Sequence, residues 1–303
     1  MGNPWDPERV VSTTLAGLLI ESQFPALAPV RVEPLGVGWD NSAFLINASF
    51  VFRFPRRQIA VDLIETELRV LPRLAGRLPL SIPVPEWSGR PEPRFPWPFA
   101  GYRCLPGCPA SSVLLDDRDR LQIARPLAEF LVALHGVPLA DAKRWGAGPD
   151  TISRLDTGRL SQQILLALDD LRARGLIDDL RPWTAIIAEA AELRPSREAL
   201  LHGDLYARHL LVDERHQLCG VIDFGDVHYG DPAVDLSVVW TFLPPEARER
   251  FFDVYGEVDE SMMRLARLRA LMSAAAVGSY GWDVGDQALI AEGLRALRSV
   301  ATV

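Results

Sequence analysis

What the chain lacks narrows it first. It has only three cysteines in 303 residues, Cys104, Cys108 and Cys219. A low, odd count excludes a disulfide framework and fits a reducing compartment. Cys104 and Cys108 stand four apart, but no second Cys or His pair follows at the spacing a structural zinc requires. No apolar run reaches the ~20 residues that cross a bilayer. Residues 1–9 are polar and carry Pro4 and Pro7, unlike a signal peptide. These absences predict a cytoplasmic protein with no membrane partner. Net positive charge is missing as well: the formal charge is −8. That argues against nucleic acid as a partner and leaves room for a cationic ligand. Repeats and low-complexity tracts are absent, and a monomer or dimer is expected.

What is present suits a globular protein. The chain is 48% apolar and 24% charged, close to the soluble average. Its length fits one large domain or two modest lobes. Asp6-Pro7-Glu8 reads as a helix start, and Val10, Val11, Leu15, Leu18 and Leu19 follow at helical spacing up to Pro25. Residues 30–54 change texture: short β-rich runs are broken by Gly36-Val37-Gly38 and Asn47-Ala48-Ser49, an antiparallel meander. Residues 59–74 are helical again. A proline-rich stretch then precedes a short strand at 99–105. Beyond Leu105-Pro106-Gly107 the pattern is mostly helical, over 121–135, 160–174, 183–193, 245–255, 262–279 and 287–300. One β island interrupts it, with strands at 210–212 and 218–222. The expected architecture is α+β and bilobal, with a small antiparallel-sheet lobe over 1–104 and a larger helical lobe over 105–303.

The chemistry concentrates in the β island. His202-Gly203-Asp204 leaves an apolar strand through a glycine turn, and nineteen residues later Asp223-Phe224-Gly225-Asp226 closes another. Either aspartate alone reads as a turn residue. Two carboxylates ending buried strands and joined by a hairpin would lie near each other. One can orient and deprotonate a hydroxyl while the other holds Mg²⁺ on phosphates, the needs of phosphoryl transfer. Magnesium takes oxygen ligands and keeps waters, so one or two carboxylates suffice.

These two segments resemble the catalytic and metal-binding motifs of the aminoglycoside phosphotransferase family, which is similar in fold to protein kinases. Asp231-Pro232-Ala233-Val234-Asp235-Leu236 matches a further family segment. The resemblance implies Asp204 as catalytic base, Asp223 as Mg²⁺ ligand, and Asp235 as a structural carboxylate on the backbone of the catalytic loop. It also implies a strand cation on the nucleotide phosphates and a helical Glu to hold it. Arg53 fills the first role in place of the usual Lys, and Arg is not a neutral exchange for Lys. Glu67 matches the second role best, with Glu65 as runner-up. The alternative reading makes Arg53, Arg56 and Arg57 a solvated strand edge. Gly36, Gly38 and Ser42 would cover the phosphates through amides and a hydroxyl, or simply form a hairpin turn. The strand carrying Tyr102 and Cys104 would offer backbone groups to the purine, and no residue there separates ATP from GTP.

One position departs from the family pattern. Five residues after Asp204, where the family carries an Asn that ligates metal, stands His209. Imidazole can ligate a metal, although magnesium does not favour it; otherwise the ring packs under the hairpin. His here together with Arg53 also resembles the macrolide phosphotransferase branch, which uses GTP. The acceptor would meet the C-terminal helices, where Tyr280, Trp282, Asp283 and Asp286 are candidate contacts for a polyol or amine-bearing sugar. The implied function is transfer of a nucleotide γ-phosphate to a small-molecule hydroxyl, most simply an aminoglycoside- or macrolide-type antibiotic. The rivals are a kinase of a small metabolite, such as choline, homoserine or a sugar, and a nucleotide-binding module without catalysis.

Overall fold

The computed structural model describes residues 7–38 and 40–302. The chain divides into two units. The first comprises the described residues up to Arg77, Ser81–Leu105 and Asp223–Val227. The second comprises Leu78–Leu80, Pro106–Ile222 and the described residues from His228 on. The Asp223 segment thus belongs with the sheet unit, although the chain on either side of it belongs with the helical one.

In the first unit, α1 (Thr13–Gln23) begins where the Ser12 hydroxyl accepts from the Leu15 N–H at 3.1 Å. The helix therefore starts later than the Pro7-Glu8 pattern suggests, and Asp6 lies outside the described residues. Three strands follow as a meander, β1 (Val32–Val37), β2 (Asn41–Ile46) and β3 (Phe50–Pro55); then come α2 (Ile59–Leu74), β4 (Pro85–Gly89) and β5 (Phe99–Arg103). The five strands form one antiparallel sheet in the order β1-β2-β3-β5-β4. Strand alternation gives the sheet two different faces. One carries Phe44, Ile46, Phe52, Phe54 and Phe99 into an aromatic core against Leu19 and Ile20 of α1, where Phe54 and Phe99 stack at 4.6 Å. Gly101 sits directly across from Phe52 in the β3–β5 register, and a Cβ there would fall inside that ring. The close approach is what requires glycine. The other face carries Arg53 and Tyr102.

The second unit opens with β6 (Cys108–Pro109), then α3 (Asp117–His135), α4 (Leu139–Trp145), β7 (Gly148–Pro149), α5 (Thr157–Ala173) and α6 (Arg181–Ala190). A capping box starts α3: the Asp116 carboxylate accepts from the Asp119 N–H, and the Asp119 carboxylate accepts from the Asp116 N–H. Next come β8 (Ala199–Leu201), β9 (Leu210–Val212), β10 (Leu218–Val221) and β11 (His228–Gly230). These short strands make two three-stranded sheets, β10-β9-β6 and β7-β11-β8. The chain finishes with α7 (Ala233–Phe242), α8 (Pro245–Tyr255), α9 (Glu260–Val284) and α10 (Gln287–Ala301). Every residue of α7 is buried, so it shows no amphipathic period, and α9 and α10 pack beside it. Among the described residues no single helix is long and apolar enough to cross a membrane.

Candidate active site

Two clusters of buried polar groups stand out, one in each unit. In the sheet unit, Arg53 leaves β3 on the face opposite the aromatic core and spans two carboxylates. Its guanidinium donates to Glu67 Oε1 at 2.7 Å and to Asp223 Oδ1 at 2.7 Å. The Tyr102 hydroxyl donates to the other Glu67 oxygen at 2.6 Å. Glu67 is fully enclosed, and burial pushes its carboxyl above the ordinary range while the Arg53 charge pulls it back. Burial works against the Arg53 charge, but Asp223 and Glu67 outweigh it and raise its pKa. Asp223 keeps 43% of its side chain exposed. Its backbone is left-handed at φ 65°, a conformation Asp tolerates better than most side chains. Gly225 lies against this triad, where a Cβ would stand 3.4 Å from Glu67 Oε1.

The turn between β1 and β2 is fastened by the two arginines after β3. Arg56 donates to the Gly38 carbonyl at 2.5 Å, and Arg57 pairs with Asp40 at 2.5 Å. These residues are thus turn anchors, not a bare solvated edge. Gly36 and Gly38 are exposed, and a Cβ at Gly36 would meet nothing within 4 Å. Trp39 of this turn lies outside the described residues.

In the helical unit, Asp235 is fully buried at the first turn of α7 and organises the loop after β8. Its oxygens accept from the backbone N–H of His202 at 2.7 Å and of Gly203 at 2.8 Å. His135 Nε2 donates to it at 3.1 Å, and His135 Nδ1 accepts from the Tyr255 hydroxyl at 2.8 Å. Burial alone would raise the Asp235 pKa, but the His135 and backbone donors outweigh it, so the group sits below the ordinary carboxylate range. Gly203 adopts φ 89°, and this left-handed turn aims two successive N–H groups at one carboxylate. His202 Nε2 bonds the Ile222 carbonyl at 2.9 Å while its Nδ1 accepts from the Asp204 N–H at 3.3 Å. His209 Nδ1 donates to the Asp204 carbonyl at 2.7 Å. The Asp204 backbone is held at both its N–H and its C=O, and its side chain stays 43% exposed.

Four sequence expectations are corrected. Ser42 pairs with Phe54 across β2 and β3 and points into the aromatic face, away from Arg53; one residue of register decides this. His209 donates Nδ1–H to the loop backbone and is 8% exposed, so it packs under the hairpin as a support of Asp204, and its imidazole is a ligand type that magnesium does not favour. Asp283 is ion-paired with Arg174 at 2.8 Å, and the Arg174 guanidinium lies over the Trp282 ring. Asp286 caps α10, accepting from the N–H groups of Ala288 and Leu289. These carboxylates are occupied by the fold, and Tyr280 and Trp282 lose their reason for selection with them. Glu65, the runner-up to Glu67, instead faces outward near Arg69 at 3.8 Å. The side chain of Tyr102 supports Glu67, and the Cys104 N–H is taken by the Ser49 carbonyl. Sequence reasoning missed His135, which ends an ordinary amphipathic helix and carries no motif.

The match to a family of known proteins spans residues 31–271 and both clusters. The chain belongs to the phosphotransferase enzyme family. Within the family, viomycin phosphotransferase of Streptomyces vinaceus is 26% identical over 274 residues, 84% of this chain and 88% of that protein. A solved APH(2″) enzyme in complex with GDP and kanamycin is 29% identical, covers 93% of this chain and 97% of its own, and superposes with a TM-score of 0.68. A macrolide 2′-phosphotransferase from Brachybacterium faecium, 24% identical over 88% of this chain and 91% of its own at a TM-score of 0.56, shares the fold. The chain is accordingly a phosphotransferase with an alcohol group as acceptor, of the kinase-like α+β fold.

Proposed function

We propose that this enzyme moves the γ-phosphate of ATP or GTP onto a hydroxyl of an antibiotic-type small molecule, with Asp204 as catalytic base. One observation carries the assignment: Asp204 is fixed through its backbone by His202 and His209, inside a loop clamped by Asp235, while its carboxylate remains accessible. A base needs that combination, because proton transfer requires both a fixed position within hydrogen-bond reach and a carboxylate that the acceptor can approach. Arg53, held by Glu67 and Asp223, supplies permanent positive charge for the phosphates. The exposed Asp223 carboxylate is a hard oxygen donor that fits Mg²⁺, which keeps several waters and takes one or two carboxylates. When bound, the ion neutralises charge on the phosphate oxygens. Asp223 supplies its protein ligand, and the backbone around Gly36 and Gly38 lies over the phosphates. The chain just beyond β5, around Cys104, whose N–H is held by Ser49, offers its remaining backbone groups to the purine.

Viomycin and kanamycin in the names of the relatives support an antibiotic acceptor, and the GDP in the second makes GTP a donor to test beside ATP. We place the enzyme in the cytoplasm, where nucleoside triphosphates are plentiful. The test is a panel of hydroxylated acceptors with ATP and with GTP, reading nucleoside diphosphate release. Acceptor-dependent release that disappears in Asp204→Asn supports the proposal. Equal release by both proteins with every acceptor sinks it.

A further inference from the structure

Three helix ends converge on the loop that carries Asp204. His135 is the last residue of α3, Tyr255 is the last of α8, and Asp235 stands in the first turn of α7. Their side chains form one run of hydrogen bonds. The Tyr255 hydroxyl donates to His135 Nδ1 at 2.8 Å, and His135 Nε2 donates to Asp235 Oδ2 at 3.1 Å. Asp235 in turn accepts from the N–H groups of His202 and Gly203. Asp204 is the next residue, and its own N–H is held by His202 Nδ1. The side chains of His135 and Asp235 are 7% and 0% exposed, so bulk water does not compete for these bonds. A neutral imidazole has one donor and one acceptor nitrogen. Held at Nε2 alone, the ring could still swing about its bond to Cβ; held at both nitrogens, it has one orientation. Burial, and then the Asp235 charge, push the Tyr255 phenol above its ordinary range, so the hydroxyl keeps the proton it donates. The Tyr255 ring is itself fixed, stacked on Phe251 at 5.5 Å.

We propose that Tyr255 is a positioning residue for phosphoryl transfer: acting through His135 and Asp235, it holds the Asp204 loop in its working geometry. The inference rests on the reading of Asp204 as the base, and it extends that site to the end of α8. A hydroxyl that merely satisfied a buried ring would affect stability alone. A positioning hydroxyl affects turnover in the fully folded enzyme, because a reacting group misplaced by about 1 Å can cost about 10²-fold. It leaves nucleotide affinity alone, since Arg53 and Asp223 belong to the sheet unit.

The test is Tyr255→Phe in the full-length enzyme, assayed with a competent acceptor at a temperature where urea unfolding shows both proteins to be fully folded. The prediction is a fall in kcat of about three- to thirtyfold with the nucleotide KM unchanged within about twofold. The Gly203 N–H should also exchange with solvent deuterium about tenfold faster. A p-aminophenylalanine at position 255, which keeps the ring and a donor at its tip, restores both. His135→Gln can still donate to Asp235 but lacks the Nδ1 acceptor, so adding Tyr255→Phe to it should change kcat by less than about twofold. Should Tyr255→Phe fail to fold, p-methylphenylalanine, close in size to tyrosine and without a donor, takes its place in the same comparison. Wild-type kcat in the variant without the donor overturns the proposal, whatever its stability. So does a loss in the His135→Gln background equal to that in the wild type. Asp204→Asn is measured alongside. Full turnover there removes the reading of Asp204 as base, and this inference with it. An inactive Asp204→Asn beside an unaffected Tyr255→Phe removes this inference alone.

Discussion

Arg53 and Asp223 are 170 residues apart in sequence and 2.7 Å apart in space, Nη2 to Oδ1. The same guanidinium reaches Glu67 through its other terminal nitrogen. One planar cation therefore sets the positions of both carboxylates it pairs with, Glu67 and Asp223. Lys143 is the only lysine in the chain, so arginine at position 53 follows this protein's general usage and by itself says little about which branch of the family it belongs to. What matters is the fork. Arg53→Lys supplies one ammonium where two nitrogens now serve two carboxylates. Loss of one charge-assisted hydrogen bond, ~1.5–3 kcal/mol, should raise the KM for nucleotide about ten- to a hundred-fold, as steady-state kinetics would show. Arg53→Met should go further and leave Glu67 buried without its cation. A stability loss of about 3–5 kcal/mol is expected in urea unfolding.

Tyr102→Phe tests the support beneath that fork. The hydroxyl donates to a Glu67 oxygen that solvent does not reach. Its removal should cost about 1–3 kcal/mol and raise the nucleotide KM more than it lowers kcat. A variant as stable as the wild type would show that the Glu67 oxygen finds another donor.

Asp235 predicts a pH effect. Its folded-state pKa lies below the ordinary value, with burial opposing and His135 and the backbone N–H groups prevailing. A depressed carboxylate contributes stability that is present above its unfolded pKa and is lost as pH falls through its folded pKa. The wild type should therefore lose stability on acidification below about pH 4, and Asp235→Asn should flatten that acid limb. The amide replaces one of two accepting oxygens with a donor, so at neutral pH the variant should be about 1–3 kcal/mol less stable. Urea denaturation across a pH series checks both points.

The turn between β1 and β2 separates fold from function. A Cβ at Gly36 meets nothing, so Gly36→Ala should unfold within about 0.5 kcal/mol of the wild type. If this backbone lies over the phosphates, the same change should still raise the nucleotide KM severalfold. An unchanged KM would remove the turn from the binding surface.

Much of this was legible in the sequence, for physical reasons that differ from element to element. α2 and α8 were read to the residue because each has a one-sided apolar pattern and a clean boundary. α7 was invisible as a helix because all of it is buried, and the seven residues of α4 are too few to establish a period. Glu67 and Glu65 stand two positions apart on one helix, so helical geometry alone sends them to different faces. Ser42 failed for the equivalent reason on a strand, where one position changes the face. Asp283 and Asp286 failed because composition cannot distinguish a carboxylate awaiting a ligand from one that caps a helix or answers an arginine on another helix. The Asp235 clamp was readable from its motif, whereas its partner His135 lies a hundred residues away.

The most direct test of the central claim is the kcat of Asp204→Asn with a competent acceptor, measured beside the Kd for nucleotide. The amide keeps the shape of the side chain and both backbone anchors but accepts a proton poorly. If Asp204 is the base, kcat falls by about 10²- to 10⁴-fold with nucleotide affinity unchanged within about twofold. Turnover by the variant at the wild-type rate would contradict it.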